Sequence, residues 1–525
     1  MSLAHWFGFV SLLCLLAGAP LHAQTLRWAP RGDVLSMDPH AALETTTINV
    51  NALLHDGLVE IDAHDRIVPA LATSWTVVEP MLWRFKLRRG VRFQDGTPFT
   101  ADDVVFSIQR AQGPGSKFAS FALPLGEVRR VDDETIELRQ SAPNPTLLNQ
   151  LSAVMMMSRA WCLAHGATEP ANLLDKREAY SNRYAMGTGR YALAERQPGV
   201  RTVLVRNPAW WGRFEGNVQR VVLQPIASDA TRTAALLSGD VDFTQDVPPQ
   251  DADRLAKDPS LRLLQMPENR LIYLGLDQYR DELPRSSVKG RNPFKDVRVR
   301  EAFARTIDAE ALQKTIMRGQ SQPTGCFSVS RDGCFAVAIE SPPRPDLALA
   351  RRLMAEAGFA DGFALTLECP NDRYVNDQAL CVALGGMLAR IGVRIEVDAS
   401  SKTVYFPKLE KFEPGFYLHG LGYSPDDPQV LFDWVAHSRG GPSRKGELNF
   451  ARFADAEVDR LADEAGTEMD EERRKTLLRA AQQRMNAVHG YLPLHRQVLL
   501  WAARAKVHPV ITADNRVRVD LIRVD

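Results

Sequence analysis

Between residues 83 and 93, apolar and charged side chains alternate with the two-residue period of a strand that has one buried and one wet face. Trp83, Phe85 and Leu87 fall on one side, Arg84, Lys86 and Arg88 on the other. Arg89-Gly90 predicts a turn, Val91 and Phe93 resume the alternation, and Asp95-Gly96 predicts a second turn, so the stretch reads as a hairpin. Thr100 then predicts a helix N-cap, with Asp102 and Asp103 in the first turn, where carboxylates favour the positive end of the dipole. Strand and helix patterns alternate along the rest of the chain, as α/β lobes require. Residues 53–61, LLHDGLVEI, end a helix and enter a strand. Residues 228–243, SDATRTAALLSGDVDF, predict a helix capped by Ser228 or Asp229 and ended by Gly239, with Val241 and Phe243 opening a buried strand.

A chain of 525 residues is too long for one hydrophobic core, so two or more lobes are expected. Lys plus Arg number 64 and Asp plus Glu 64, and no basic run stands out. That balance argues against a nucleic-acid partner or a polybasic membrane surface and for a small molecule or another protein. The N-terminus predicts a secretory leader over residues 1–23: Phe7 to Ala17 is apolar, Pro20 breaks the run, and Ala23 precedes Gln24. Its first residues carry His5 but no Lys or Arg. The apolar run is shorter than the ~20 residues of a membrane span, which favours cleavage over anchoring. The mature protein is then soluble and exported.

Export permits disulfides, and five cysteines remain once Cys14 leaves with the leader. Cys326 and Cys334 flank a turn-rich loop, while Cys369 ends a strand and Cys381 sits in the following helix. Both pairs are expected as local disulfides, with Cys162 free and buried. The alternative is buried free thiols packing as small hydrophobes.

Known catalytic patterns are missing: there is no G-x-S-x-G, H-E-x-x-H, Walker A loop or C-x-x-C pair, and no two histidines lie three or four residues apart. Gly187-Thr188-Gly189-Arg190-Tyr191-Ala192 satisfies the dinucleotide fingerprint, but strand-like alternation follows it where a helix is needed. Met155-Met156-Met157 could hint at copper, yet three consecutive thioethers cannot share a helix face, so core packing is expected. A secreted hydrolase would need a carboxylate pair such as Asp102-Asp103 or Asp426-Asp427. Neighbours in a strand point to opposite faces, and the first pair is better explained as capping charge.

The string WRFKLRRGVRFQDGTPFTADDVVFSIQR at 83–110 resembles the signature of the family 5 extracellular solute-binding proteins, the peptide, nickel and opine receptors of ABC importers. GTGRYAL at 187–193, VLVRNPAWW at 203–211, SDATRTAALLSGDVDF at 228–243, DVRVREAFARTID at 296–308 and Ala350 to Gly358 resemble further family landmarks in family order. The likeness runs from about residue 26 to about residue 500. It implies an α/β bilobal periplasmic-binding-protein fold, two α/β lobes joined by a two-strand hinge, with an extra subdomain in the first lobe. The expected division is 24–65, 187–277 and 494–525 for lobe I, 66–186 for its inserted subdomain, and 278–493 for lobe II. The chain would cross between lobes near 269–277 and 491–501. The resemblance further implies a monomer without catalytic activity or cofactor, which takes a peptide or small-molecule ligand and delivers it to an ABC permease and ATPase complex at the inner membrane. A non-peptide solute (a metal chelate, an opine or a sugar-like compound) is the alternative on the same fold.

Candidate site residues come partly from the same resemblance and partly from the residues themselves. At 422–428, GYSPDDP, the family often shows an aspartate that pairs with the ligand's α-ammonium, and that position holds Ser424 here. Either Asp426 takes the role, with Tyr423 as a wall, or the ligand lacks a free amine. Arg373, in the turn after a strand, is the candidate for an anionic end, since guanidinium pairs bidentately with carboxylate. For Asp426 and Arg373 alike, the competing reading is a solvated loop charge. His419 lies on a strand the family places near the cleft, where a chelated metal competes with ordinary hydrogen bonding. Trp434 reads equally as a ligand wall or as core, whereas Trp210-Trp211 reads as core.

Overall fold

The computed structural model describes residues 24–173, 178–328, 341–422, 427–440 and 445–525. The expected leader, Cys334, and the loop residues Tyr423, Ser424 and Asp426 lie outside the described residues. None of the described helices is long and apolar enough to cross a membrane.

A single sheet runs through both lobes. In the first lobe, Thr25–Ala29 lies parallel to Arg220–Leu223 on one side and to Phe243–Thr244 on the other, and the antiparallel strands Arg201–Arg206 and Tyr191–Gln197 extend it outward. Two long strands, Leu261–Leu276 and Leu492–Arg504, then carry the sheet across to the second lobe. There Phe416–Gly422, Phe363–Pro370 and Val393–Ser400 continue it, the last three lying parallel to one another. The apolar runs of the two long strands are buried on both faces, which is why they read as continuous hydrophobic stretches rather than alternating ones.

The two long strands do not pair evenly. Pro267 faces Val498 and Leu271 faces Arg496, so four steps on one strand answer two on the other. Glu268, Asn269 and Arg270 are therefore pushed out of the ladder as a bulge, which re-aims side chains at the point where the chain passes between lobes.

A separate four-stranded sheet, in the order Ala72–Glu79, Leu82–Leu87, Thr135–Arg139, Glu127–Asp132, forms the inserted subdomain. Trp83, Phe85 and Leu87 are buried and Lys86 exposed, as the alternation predicts. The hairpin is not found: Leu82–Leu87 pairs with Ala72–Glu79 and Thr135–Arg139, while 91–93 leaves the sheet and is held by Phe93 N–H donating to Thr97 O. The Arg89-Gly90 turn is real, with Gly90 at φ +72°, but local alternation carries no information about which strand lies alongside. The helix Ala101–Gln112 follows, and the Asp103 carboxylate accepts both the Thr100 N–H (2.9 Å) and its hydroxyl (3.0 Å). The hydrolase pairing of Asp102 with Asp103 has no basis in this geometry, since Asp103 is spent on the helix start and Asp102 on Arg130.

Gly187 and Gly189 are required for close approach, not for a phosphate. A Cβ on Gly187 would meet Leu54 O at 2.1 Å, and one on Gly189 would meet Leu54 C at 2.4 Å, where the helix Thr45–Leu54 ends. Tyr191–Gln197 continues as a strand. Met156 and Met157 are buried in apolar clusters, as core packing predicts, and Met155 reaches the cleft wall.

The cysteines depart from expectation at one pair. Cys326 is disulfide-bonded, and Cys162 is free and buried. Cys369 and Cys381, expected as a disulfide, are free. The strand and helix bring the two thiols into hydrogen-bonding contact in the second-lobe core, so the spacing located a true neighbour, but the thiols pack there as small apolar groups.

Candidate functional site: the cleft between the lobes

Where the long strands bulge, a cavity of about 360 Å³ opens between the lobes. Thr45, Ile48, Phe121, Met155, Asp514 and Arg516 line it from the first lobe, and Arg373, Phe406, His419 and Trp434 from the second. Glu268, Asn269 and Arg270 form its base. A smaller chamber of about 110 Å³ adjoins it, sharing Glu268, Arg270 and Arg373. Across the mouth, Phe121 and Trp434 meet edge to face at 5.0 Å, and Asn149 Nδ2 donates to Asp427 Oδ2 at 3.3 Å.

Arg373 is held in place by its own turn. Asp377, opening the helix Asp377–Leu388, accepts the backbone N–H groups of Arg373 and Tyr374 at 3.0 Å each, and Asn376 sits at φ +53° to let the chain double back. The Arg373 guanidinium lies 5.2 Å from the Tyr374 ring and has no carboxylate partner among the described residues. Burial lowers its pKa, and the neighbouring Arg270 lowers it further. A cation in such a cleft is stabilised by an incoming anion.

The carboxylates nearby are mostly engaged. Glu268 accepts from Arg270 Nε at 3.0 Å and from Gln497 Nε2 at 2.8 Å. Asp514 accepts from Arg518 at 2.8 Å and from the Thr512 hydroxyl. Glu44 caps its helix by accepting the Thr46 and Thr47 N–H groups. Glu410, exposed at the rim, has no such partner among the described residues.

His419 projects from Phe416–Gly422, and its Nδ1 bonds the Tyr273 hydroxyl at 2.8 Å. Burial, reinforced by Arg373 and Arg270, lowers its pKa to about 3, so it stands neutral. The ordinary hydrogen-bonded reading thus describes its contacts, and no cluster of three His, Cys, Asp or Glu side chains suited to a metal occurs among the described residues. Trp434 is both: it packs on the second-lobe core and forms cleft wall. Asp427, beside the expected Asp426, is tied to Arg474 at 2.8 Å and caps Gln429, so the described half of that carboxylate pair is structural. Trp210 and Trp211 are half-buried, and Trp211 packs against the apolar core of the four-stranded sheet, as the core reading expects. Trp211 Nε1 donates to Asp56 at 2.8 Å, and both rings lie under arginines, Arg88 and Arg190.

Sequence reasoning missed the bulge. Its signal was available: Glu268-Asn269-Arg270 is a polar triplet interrupting a strand that is otherwise strongly apolar from Leu271 to Leu276.

Residues 66–443 match the bacterial extracellular solute-binding proteins, family 5, over the family's middle region. The chain belongs to this family, the substrate-binding components of ABC importers, and is a receptor rather than an enzyme. The glutathione-binding protein GsiB of Escherichia coli K12 is 25% identical over 508 residues, covering 93% of each chain. The periplasmic murein peptide-binding protein MppA of the same organism is 25% identical over 457 residues, covering 82% of this chain and 80% of its own. Among solved structures, the dipeptide-binding protein of Pseudoalteromonas sp. SM9913 with Met-Leu superposes with a TM-score of 0.81 at 20% identity, covering 96% of this chain and 100% of that one.

Proposed function

We propose that this chain is a periplasmic receptor for a peptide or peptide-like solute with a free carboxylate. The observation that carries this reading is Arg373: an arginine without an ion-pair partner among the described residues, fixed by its turn and facing the cleft. Glutathione, murein peptide and Met-Leu, the solutes of the relatives, all carry a carboxylate. The solute enters the open cleft, the lobes close about the two long strands, and the closed form delivers it to a permease and ATPase at the inner membrane. The lobe division given above and removal of residues 1–23 on export go with this reading. A solute amine, where present, meets Asp426 with Tyr423 and Ser424 alongside, or Glu410 at the rim. An opine-like anion without a free amine is the second reading, favoured by the engagement of Glu268 and Asp514.

Native mass spectrometry of the purified protein identifies any co-purified solute. Isothermal titration with glutathione and Met-Leu then compares wild type with Arg373→Gln. Loss of the charge pair is expected to cost ~3 kcal/mol of binding. Affinities within threefold of one another would sink the assignment of Arg373.

A further inference from the structure

Arg270 sits in the bulge with only part of its guanidinium used. Its Nε donates to Glu268, while its terminal nitrogens have no hydrogen-bond partner among the described residues and lie against the Cα of Gly422, where a Cβ would meet Nη2 at 2.8 Å. The residue is nevertheless 91% buried, with a relative exposure of 9%. Arg373 borders the same two chambers. A bridge locks the two arginines to each other's supports: Gln497, on the opposite long strand, donates to Glu268 and accepts the Val375 N–H at 3.2 Å. Glu268 thus orients Arg270 while Gln497 ties the bulge to the turn that carries Arg373. Arg270 is paired with Glu268 while Arg373 has no carboxylate partner among the described residues, which leaves a net positive charge facing the cavity. Asp514 and Glu44 are taken, and Glu410 and Asp246, which also border the two chambers, are exposed to solvent.

We propose that Arg270 is a second anchor for the solute, and that it and Arg373 grip the same ligand carboxylate at the hinge end of the cleft. The proposal rests on the reading that the solute brings a carboxylate. Its further content is that the hinge bulge itself reads the ligand. The terminal nitrogens of Arg270 and the fork of Arg373 offer donors to both oxygens of one carboxylate, a denser set than a single arginine supplies. Because Arg270 lies where the ladder between the crossing strands is broken, the anion bonds to the element about which the lobes turn.

The test uses Met-Leu and glutathione, each as the free acid and with every carboxylate converted to the amide (one in Met-Leu, two in glutathione), titrated against wild type, Arg270→Gln, Arg373→Gln and the double variant. Wild type is expected to prefer the acids over the amides by about thirtyfold or more. Arg270→Gln should erase most of that preference, read as the ratio of acid to amide affinity within each variant. The double variant should lose little beyond either single change, since both act on one carboxylate. Full preference for the acid in Arg270→Gln overturns the clamp and leaves the peptide reading standing. A Glu268→Gln/Arg270→Gln variant, which leaves no unpaired carboxylate in the bulge, repeats the measurement should Arg270→Gln fold poorly. Acetate against chloride at equal ionic strength supplies an arm that needs no peptide: it should raise the Tm of wild type but not of Arg270→Gln. If wild type binds none of the four peptides, the peptide reading falls, and the acetate arm decides the clamp. No acetate response in wild type, or an equal one in the variant, then overturns it.

Discussion

Among the described residues, four histidines are buried in the neutral form. His40 and His419 are pushed down to about 3, and His55 and His495 to about 4, burial being the first cause in each case. A histidine whose folded pKa lies below its unfolded value of ~6.5 stays neutral in the fold while the unfolded chain takes up the proton. Its contribution is therefore complete above pH 6.5 and is lost as pH falls toward the folded value, at about 1.4 kcal/mol per pH unit for each histidine. Asp56, Asp103 and Asp377, raised by burial, act in the opposite sense and soften the loss. Thermal melts should accordingly show Tm falling steeply between pH 6.5 and 5. His419→Gln, which can keep a bond to Tyr273, should flatten that slope. An unchanged Tm across the window would remove buried neutral histidine from the account.

At the scale of elements, the strand Phe363–Pro370 and the helix Asp377–Leu388 bring Cys369 and Cys381 together as reduced thiols. Alkylation of the unfolded, unreduced protein is expected to label Cys162, Cys369 and Cys381. Label on Cys162 alone would show that the pair is oxidised. The same elements show what the sequence could and could not convey. The alternation at 83–87, the Thr100 cap, the helix closed by Gly239 and the apolar crossing strands are local properties, and each is where the pattern put it. Partnership is not local: Leu82–Leu87 takes neighbours from 72–79 and 135–139, and the bulge at 268–270 exists only in the register against 496–498. Arg373 could be singled out from its place in the turn after a strand and from the chemistry of its guanidinium. Arg270 was not, because its role depends on that bulge. Whether two neighbouring thiols are bonded turns on geometry that spacing does not fix.

For the whole molecule, the contacts across the cleft mouth set how far closure is favoured. The Phe121–Trp434 pair joins the lobes across the cleft, in the wall of the same cavity that Arg373 lines. Edge-to-face rings contribute about 1 kcal/mol, so Phe121→Ala should weaken Met-Leu binding by roughly fivefold or more. Small-angle scattering should at the same time show a larger radius of gyration for the liganded variant than for liganded wild type. Equal radii and affinities would mean that the mouth contact does not hold the lobes together.

The path of the central sheet has a further consequence, for the order in which this chain acquires its shape. Thr25–Ala29 finds its neighbours at 220–223 and 243–244, and Phe243 is in turn covered by Ala503. The strand that completes the first lobe, Leu492–Arg504, thus lies far along the chain from the strands it joins, and the cleft wall at Asp514 and Arg516 comes later still. Such distant pairings pay their loop-closure entropy before any contact repays it, which makes folding slow. A chain that emerges N-terminus first can have its four-stranded sheet built early from local pairings, but its first lobe and its binding site stay open until residues 492–516 arrive.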